Sequence, residues 1–229
     1  MKLQVFSESP ISDWLFNTVM TLANKNLVSL SKQVLTEDSP IFGLARAMLL
    51  QEIGGYLDGI GQPGIPFHLI AAVQEGSDGH RLVGFMIFTT RVQGDPRVAG
   101  LNYAAVVEQD RRKGVLREMM ATLQSYYPIV ALTCSIENVQ VYERLGFYPT
   151  GARGTHVTME SAPLPPGQTM CVDMDEIEAS LQCQREKQAI RDRFGAQESE
   201  QYAAFTAIQR GEANRVREYL AGRGVFVAG

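Results

Sequence analysis

Val106–Phe147 reads VVEQDRRKGVLREMMATLQSYYPIVALTCSIENVQVYERLGF. The stretch opens at the end of an apolar strand, Leu101–Val107. It passes through a charged turn, Gln109–Gly114, and enters an amphipathic helix over Val115–Tyr126. A short buried strand, Ile129–Cys134, and a second helix, Glu137–Leu145, follow, and Gly146 stops that helix. Strand, glycine turn and helix in this order make an anion-binding device. The first N–H groups of a helix have no partner inside it. They lie at the positive end of the macrodipole, where a phosphate is favoured.

Two motifs within the stretch narrow the reading. Arg111-Arg112-Lys113-Gly114-Val115-Leu116 begins five residues after Val106, and Tyr142-Glu143-Arg144-Leu145-Gly146-Phe147 begins some thirty residues later. In that order, with a strand between them, they resemble the GNAT superfamily of N-acetyltransferases. That family carries Arg/Gln-x-x-Gly-x-Gly/Ala at a strand-to-helix junction and Tyr-Glu-Lys/Arg-x-Gly-Phe further on. The resemblance covers about Met1–Asp173. It implies an element order βααβββαβαβ, acetyl-CoA as co-substrate, and direct acetyl transfer to a primary amine of a small-molecule or protein acceptor. A catalytically inactive GNAT-like protein, working through its C-terminal helices, is the alternative.

By the same resemblance, the backbone N–H groups of Arg112–Leu116 face the diphosphate. Gly114, lacking a Cβ, admits the backbone close to it. Arg111, Arg112 and Lys113 add charge-assisted bonds to it or to the ribose phosphate. Leu116 stands where the family has Gly or Ala, and its side chain either narrows the pocket or turns into the core. Val106 and Val107 offer strand-edge hydrogen bonds to the pantetheine arm. Tyr142 is the general acid that protonates the departing thiolate, and its reference pKa of ~10 suits a late proton transfer. Asn138, one helical turn before it, bonds the cofactor. Glu108 at the strand end is the candidate base, with Asn102, Tyr103 or a water chain as rivals.

Composition sets the bounds. The chain has 229 residues, 45% hydrophobic and 20% charged, an ordinary globular balance. A net charge of −4 disfavours a nucleic-acid partner, since polyanion binding needs a cationic surface. Cys134, Cys171 and Cys183 follow no metal-ligand spacing, and their odd number argues against a disulfide framework. A reducing cytoplasm is the expected setting. No apolar run approaches the ~20 residues that span a bilayer, and MKLQVFSESP lacks the apolar core of a signal peptide.

Outward from the central stretch, the pattern predicts a mixed, twisted α/β (α+β) layer. Lys2–Phe6 reads as a strand and Ile11–Leu30 as one helix with Trp14 in the core. Ser39-Pro40 reads as N-cap and first turn of a helix to about Leu57. Gly54 through Pro66 reads as a long glycine-rich loop; the resemblance implies that it borders the acceptor entrance, and a plain connector is the alternative. His68–Val73 and Leu82–Thr90 form a hairpin across Gly76–Gly79, and Val98–Val107 completes a meander. Pro149–Gly154 reads as a break, Thr155–Met159 as a strand and Met170–Met174 as a closing strand. The acetyl-CoA-binding domain is expected over 1–173, with a helical extension over 174–229. In that extension Asp175–Phe194 reads as a helix, followed by a helix pair across Gly211 that serves as a cap or a contact with another subunit.

Overall fold

A computed structural model of the chain describes residues 1–76 and 79–225. Its middle strand is β4 (Val98–Val106), which accounts for the placing of everything else. To one side run β3 (Gly79–Gly94), β2 (Phe67–Gly76) and β1 (Lys2–Phe6), each antiparallel to its neighbour. To the other side lies β5 (Ile129–Cys134), parallel to β4, then β7 (His156–Glu160) and β6 (Tyr148–Arg153), both in antiparallel pairs. β8 (Gly167–Thr169) pairs with the far end of β3. The sheet is therefore mixed, and its single parallel pair needs the long crossover that α4 (Val115–Tyr126) supplies.

Each face of the sheet is covered by helices. On one face α1 (Asp13–Lys25), α2 (Leu27–Leu30) and α3 (Phe42–Gly59) pack with Leu69, Phe85, Ile87 and Tyr103. On the other, α4 and α5 (Ile136–Glu143) pack with Ile70, Met86, Val130 and Leu132. Local sequence explains the main pieces. Ser12 caps α1 by accepting the Leu15 N–H at 3.4 Å, and Leu15, Val19 and Leu22 are buried at helical spacing. α4 buries Val115, Met119, Met120 and Leu123 along one stripe. Val130, Leu132 and Cys134 alternate inward along β5.

The C-terminal helices lie on the same body. α6 (Met174–Ala179) and α7 (Leu181–Phe194) reach α3, with Ile177, Cys183 and Ile190 buried there. α8 (Glu198–Ala221) crosses β6 and β7 and buries Val216 and Leu220 in the apolar cluster on that face of the sheet. Arg215 pairs with Glu137 and Arg223 with Glu143, tying α8 to α5.

Several expectations are corrected. Trp14 is 44% exposed, because Leu15, Val19 and Leu22 take the core face of α1 and leave Trp14 on its outer side. The Ile11–Leu30 helix breaks at Asn26 into α1 and α2. α3 starts at Phe42, after a turn that contains Ser39 and Pro40, rather than being capped by them. Gly54, Gly55 and Gly59 lie inside α3, not in a loop. A Cβ on Gly59 would come within 2.6 Å of the Phe67 ring, and one on Gly55 within 2.9 Å of Val172. Packing thus overrides the weak helix propensity of glycine.

Pro149–Gly154 contains an edge strand, β6, where Pro149 and Gly151 sit at a register shift. Met170–Met174 is not a strand, since β8 ends at Thr169 and Asp173 caps α6, accepting the Asp175 N–H at 2.8 Å. Asp175–Phe194 is two helices, divided at Ser180, whose hydroxyl caps α7. Gly211 does not divide α8, which runs through it. The turn expected at Ser77 and Asp78 lies outside the described residues.

Candidate active site

β4 and β5 pair only from Val98↔Ile129 to Leu101↔Leu132, and beyond those residues they part. The cause is local. Against β3, the register shifts between Ile87↔Tyr103 and Phe88↔Leu101, so Asn102 is an extra residue in β4. Such a bulge bends and twists its strand away from a neighbour. Asn102 is fixed there by donating from Nδ2 to the Thr89 hydroxyl at 2.5 Å. Past the bulge, the Val107 N–H donates to the Val83 carbonyl at 2.9 Å, and the Val107 carbonyl accepts the Asp110 N–H at 2.8 Å. Antiparallel ladders alternate, so Ala104 and Val106 turn their backbone groups into the parting instead. The Val106 carbonyl accepts from Arg111 Nε at 3.3 Å, while Arg111 Nη2 donates to Asn26 Oδ1 at 2.6 Å.

The turn after β4 contains a 3-10 turn, Glu108–Asp110, and then the basic run. Asp110 is buried and accepts from Arg81 Nη1 at 2.5 Å and from Lys113 Nζ at 3.2 Å. The Arg81 hydrogen bond holds the Asp110 carboxyl below the usual carboxylate range. Arg112 has φ 63°, alone among the described non-glycine residues in the left-handed region, and Gly114 has φ 86°. These two left-handed residues curl the backbone into a concave turn at the start of α4, with N–H groups on its inner side. No acceptor among the described residues meets the N–H groups of Arg112–Arg117 in good hydrogen-bond geometry. Space above Gly114 is open, with nothing within 4 Å of where a Cβ would stand. A cleft of about 450 Å³ adjoins the turn, lined by Gln74, Arg81, Asp110, Lys113, Val115 and Glu118. Leu116 is half-buried against the core with Val115 and Met119, the inward alternative for its side chain.

α5 follows the open end of β5. Asn138 is exposed and donates to Ser135 Oγ at 3.3 Å. Tyr142 is half-buried, its ring edge-on to Phe147 at 5.9 Å. Burial, and then the neighbouring Cys134, raise the Tyr142 phenol above its ordinary value, and burial pushes the Cys134 thiol up to about 12. Both keep their protons at neutral pH. Glu108 is exposed, with no side-chain partner among the described residues.

One cluster was not foreseen. Tyr103 is two residues beyond the last β4–β5 pair, on the α3 face, and its hydroxyl donates to Glu52 Oε2 at 2.6 Å. Lys32 Nζ donates to Glu52 Oε1 at 2.6 Å and lies 5.0 Å from the centre of the Tyr103 ring. Burial, and then Glu52, raise the Tyr103 hydroxyl well above its ordinary value. The sequence did hold a signal. Glu52 shares the buried side of α3 with Leu49, Ile53 and Tyr56, where a carboxylate needs a partner. Among the described residues no group of His, Cys, Asp and Glu side chains forms a metal cluster, and no helix is long and apolar enough to cross a membrane.

No protein-family model and no curated protein matches the sequence. Solved structures do match. The chain is similar to nourseothricin acetyltransferase at 19% identity over 42% of its own length, spanning 64% of that chain, with a TM-score of 0.36. It is similar to a histone acetyltransferase HPA2-related acetyltransferase of Corynebacterium glutamicum at 19% identity, covering 72% of this chain and 99% of that one, with a TM-score of 0.47. The PaiA N-acetyltransferase of Thermoplasma acidophilum, solved with coenzyme A, matches at 15% identity over 70% of this chain and 98% of that one, with a TM-score of 0.45. All three similarities lie below 20% identity, and none reaches a TM-score of 0.5.

Proposed function

We propose that the chain is an N-acetyltransferase that moves an acetyl group from acetyl-CoA to an amine by direct attack. One observation carries this reading: β4 and β5 part beside a turn whose N–H groups, from Arg112 to Arg117, meet no acceptor in good hydrogen-bond geometry among the described residues. Backbone groups open along such a parting, beside a helix start that favours a phosphate, suit an extended ligand that carries a phosphate at one end. Gly114, Val115 and Leu116 would hold the diphosphate with their N–H groups, and Arg112 and Lys113 would add charge. The inner edge of β4 would hold the pantetheine arm through Val106. Arg111, which holds that carbonyl now, would be released toward the phosphates. Val107 would add its side chain to this wall, its backbone being committed to Val83 and Asp110. Asn138, at the first turn of α5, would border the same ligand.

Acetyl-CoA supplies an activated acetyl thioester. The Val106 N–H would polarise the carbonyl as negative charge develops on its oxygen. Tyr142, protonated at neutral pH, would give its proton to the departing thiolate. Glu108, exposed at the end of β4, would receive the proton from the attacking amine. Holding both reactants at the parting would supply much of the acceleration.

Isothermal titration with acetyl-CoA tests the reading, together with thiol release in the presence of a panel of primary amines. Saturable binding and amine-dependent release are expected. Absence of any binding heat up to millimolar acetyl-CoA would leave a non-catalytic GNAT-like protein in its place.

A further inference from the structure

Glu52 places a carboxylate in the apolar layer between α3 and β4, with only 9% of its side chain exposed. Two groups satisfy it. Tyr103 is fixed in the sheet, whereas Lys32 enters from the surface on a flexible stem, with 52% of its side chain exposed. The Lys32 backbone is not free to follow its side chain. Its carbonyl accepts from the Thr155 hydroxyl at 2.7 Å, and Val34 exchanges two hydrogen bonds with the Gln209 side chain, each of 2.8 Å. The wall around Glu52 therefore stands without the Lys32 ammonium. What that ammonium occupies is a cation seat, with a buried carboxylate on one side and an aromatic face on the other. Tyr103 sets the seat next to the parting of β4 and β5.

We propose that Glu52 and Tyr103 form the seat for a cationic amine group of the acceptor, and that Lys32 is a tethered occupant which the acceptor displaces. As an acceptor site it rests on the acetyltransferase reading; as an ammonium site it does not. The ligand class is an alkylammonium. A neutral isostere is rejected because it leaves the Glu52 charge buried and unpaired. Displacement rather than free entry makes the seat selective, since an incoming group has to outbid a lysine already in place.

Thermal unfolding of Lys32→Ala with n-butylamine tests this without acetyl-CoA. The variant is expected to melt below the native chain, because Glu52 loses its cation. Millimolar n-butylammonium chloride is expected to restore much of the loss, by binding the folded state alone. Equal sodium chloride or 1-butanol is expected not to, and the double variant Lys32→Ala/Glu52→Gln should show no recovery. A chain that folds only with the amine present counts as recovery. Lys32→Met, which removes the ammonium but keeps an apolar side chain of similar length, should bind n-butylamine about tenfold tighter than the native chain once its competitor is gone. Rescue absent from Lys32→Ala, or equal in the double variant, overturns the proposal, as does unchanged affinity in Lys32→Met. Intact acetyl-CoA binding alongside such a failure leaves the transfer reaction standing. Loss of acetyl-CoA binding alongside successful rescue does the reverse.

Discussion

Arg81 and Asp110 meet at 2.5 Å, and through that contact the first residues of β3 fix the turn that leads into α4. Asp110 also accepts from Lys113, so one buried carboxylate ties the start of β3 to the last residue of the basic run.

Asp110→Ala should therefore loosen the turn rather than the core. The loss of its charged hydrogen bonds is expected to cost about 1–3 kcal/mol. Part of that is recovered, because Arg81 and Lys113 then face solvent. Urea unfolding reads the stability loss, and titration with acetyl-CoA should show weaker binding. The carboxyl is depressed in the folded state, so its stabilisation is present above the unfolded value of ~4 and lost as pH falls through the folded value. A native chain whose stability falls no faster than that of Asp110→Ala as pH drops downward from the unfolded value of ~4 would contradict this role.

Gly114→Ala separates conformation from sterics. No atom lies within 4 Å of the new Cβ, yet φ is 86°. A non-glycine residue there costs about 1–2 kcal/mol from backbone strain alone. The melting temperature should fall modestly, while acetyl-CoA affinity should fall further, since the methyl group fills the open side of the turn. Equal affinity in the two proteins would remove the turn from the phosphate site.

Tyr142→Phe keeps the ring against Phe147 and removes only the hydroxyl. If the phenol protonates the thiolate, kcat should fall by ~10²–10⁴-fold with acetyl-CoA affinity nearly unchanged. The measurement is amine-dependent thiol release at saturating acetyl-CoA. An unchanged rate would take the acid role from Tyr142.

Leu220 is fully buried where α8 crosses the sheet. Leu220→Ala should cost about 2–5 kcal/mol, read as a lower urea midpoint. Removing the exposed Arg223–Glu143 pair through Arg223→Ala should shift the midpoint far less, because solvent screens such pairs. The reverse ranking would mean that charge, rather than apolar burial, holds α8 in place.

Which parts were legible follows from how far each signal reaches along the chain. The strand, turn and helix from Leu101 to Tyr126 were readable because their signals are local: alternation in β4, a glycine at the cap, and Val115, Met119, Met120 and Leu123 at helical spacing. Gly54, Gly55 and Gly59 were misread because propensity speaks for a loop, whereas contacts with Val172 at Gly55 and Phe67 at Gly59 need small residues in a helix. Trp14 was misplaced because hydrophobicity does not say which side of α1 meets the sheet.

The sequence by itself determined the central α/β unit, the meander and the basic turn with its two motifs. Only the tertiary structure decided where β4 leaves β5, since the bulge at Asn102 exists relative to the register of β3. It also decided that Lys32, Glu52 and Tyr103 share one site, although Glu52 lies 20 residues from Lys32 and 51 from Tyr103. The physical reason is range. Backbone preferences and periodicity are set by neighbours in sequence, whereas a buried charge finds its partners wherever packing brings them.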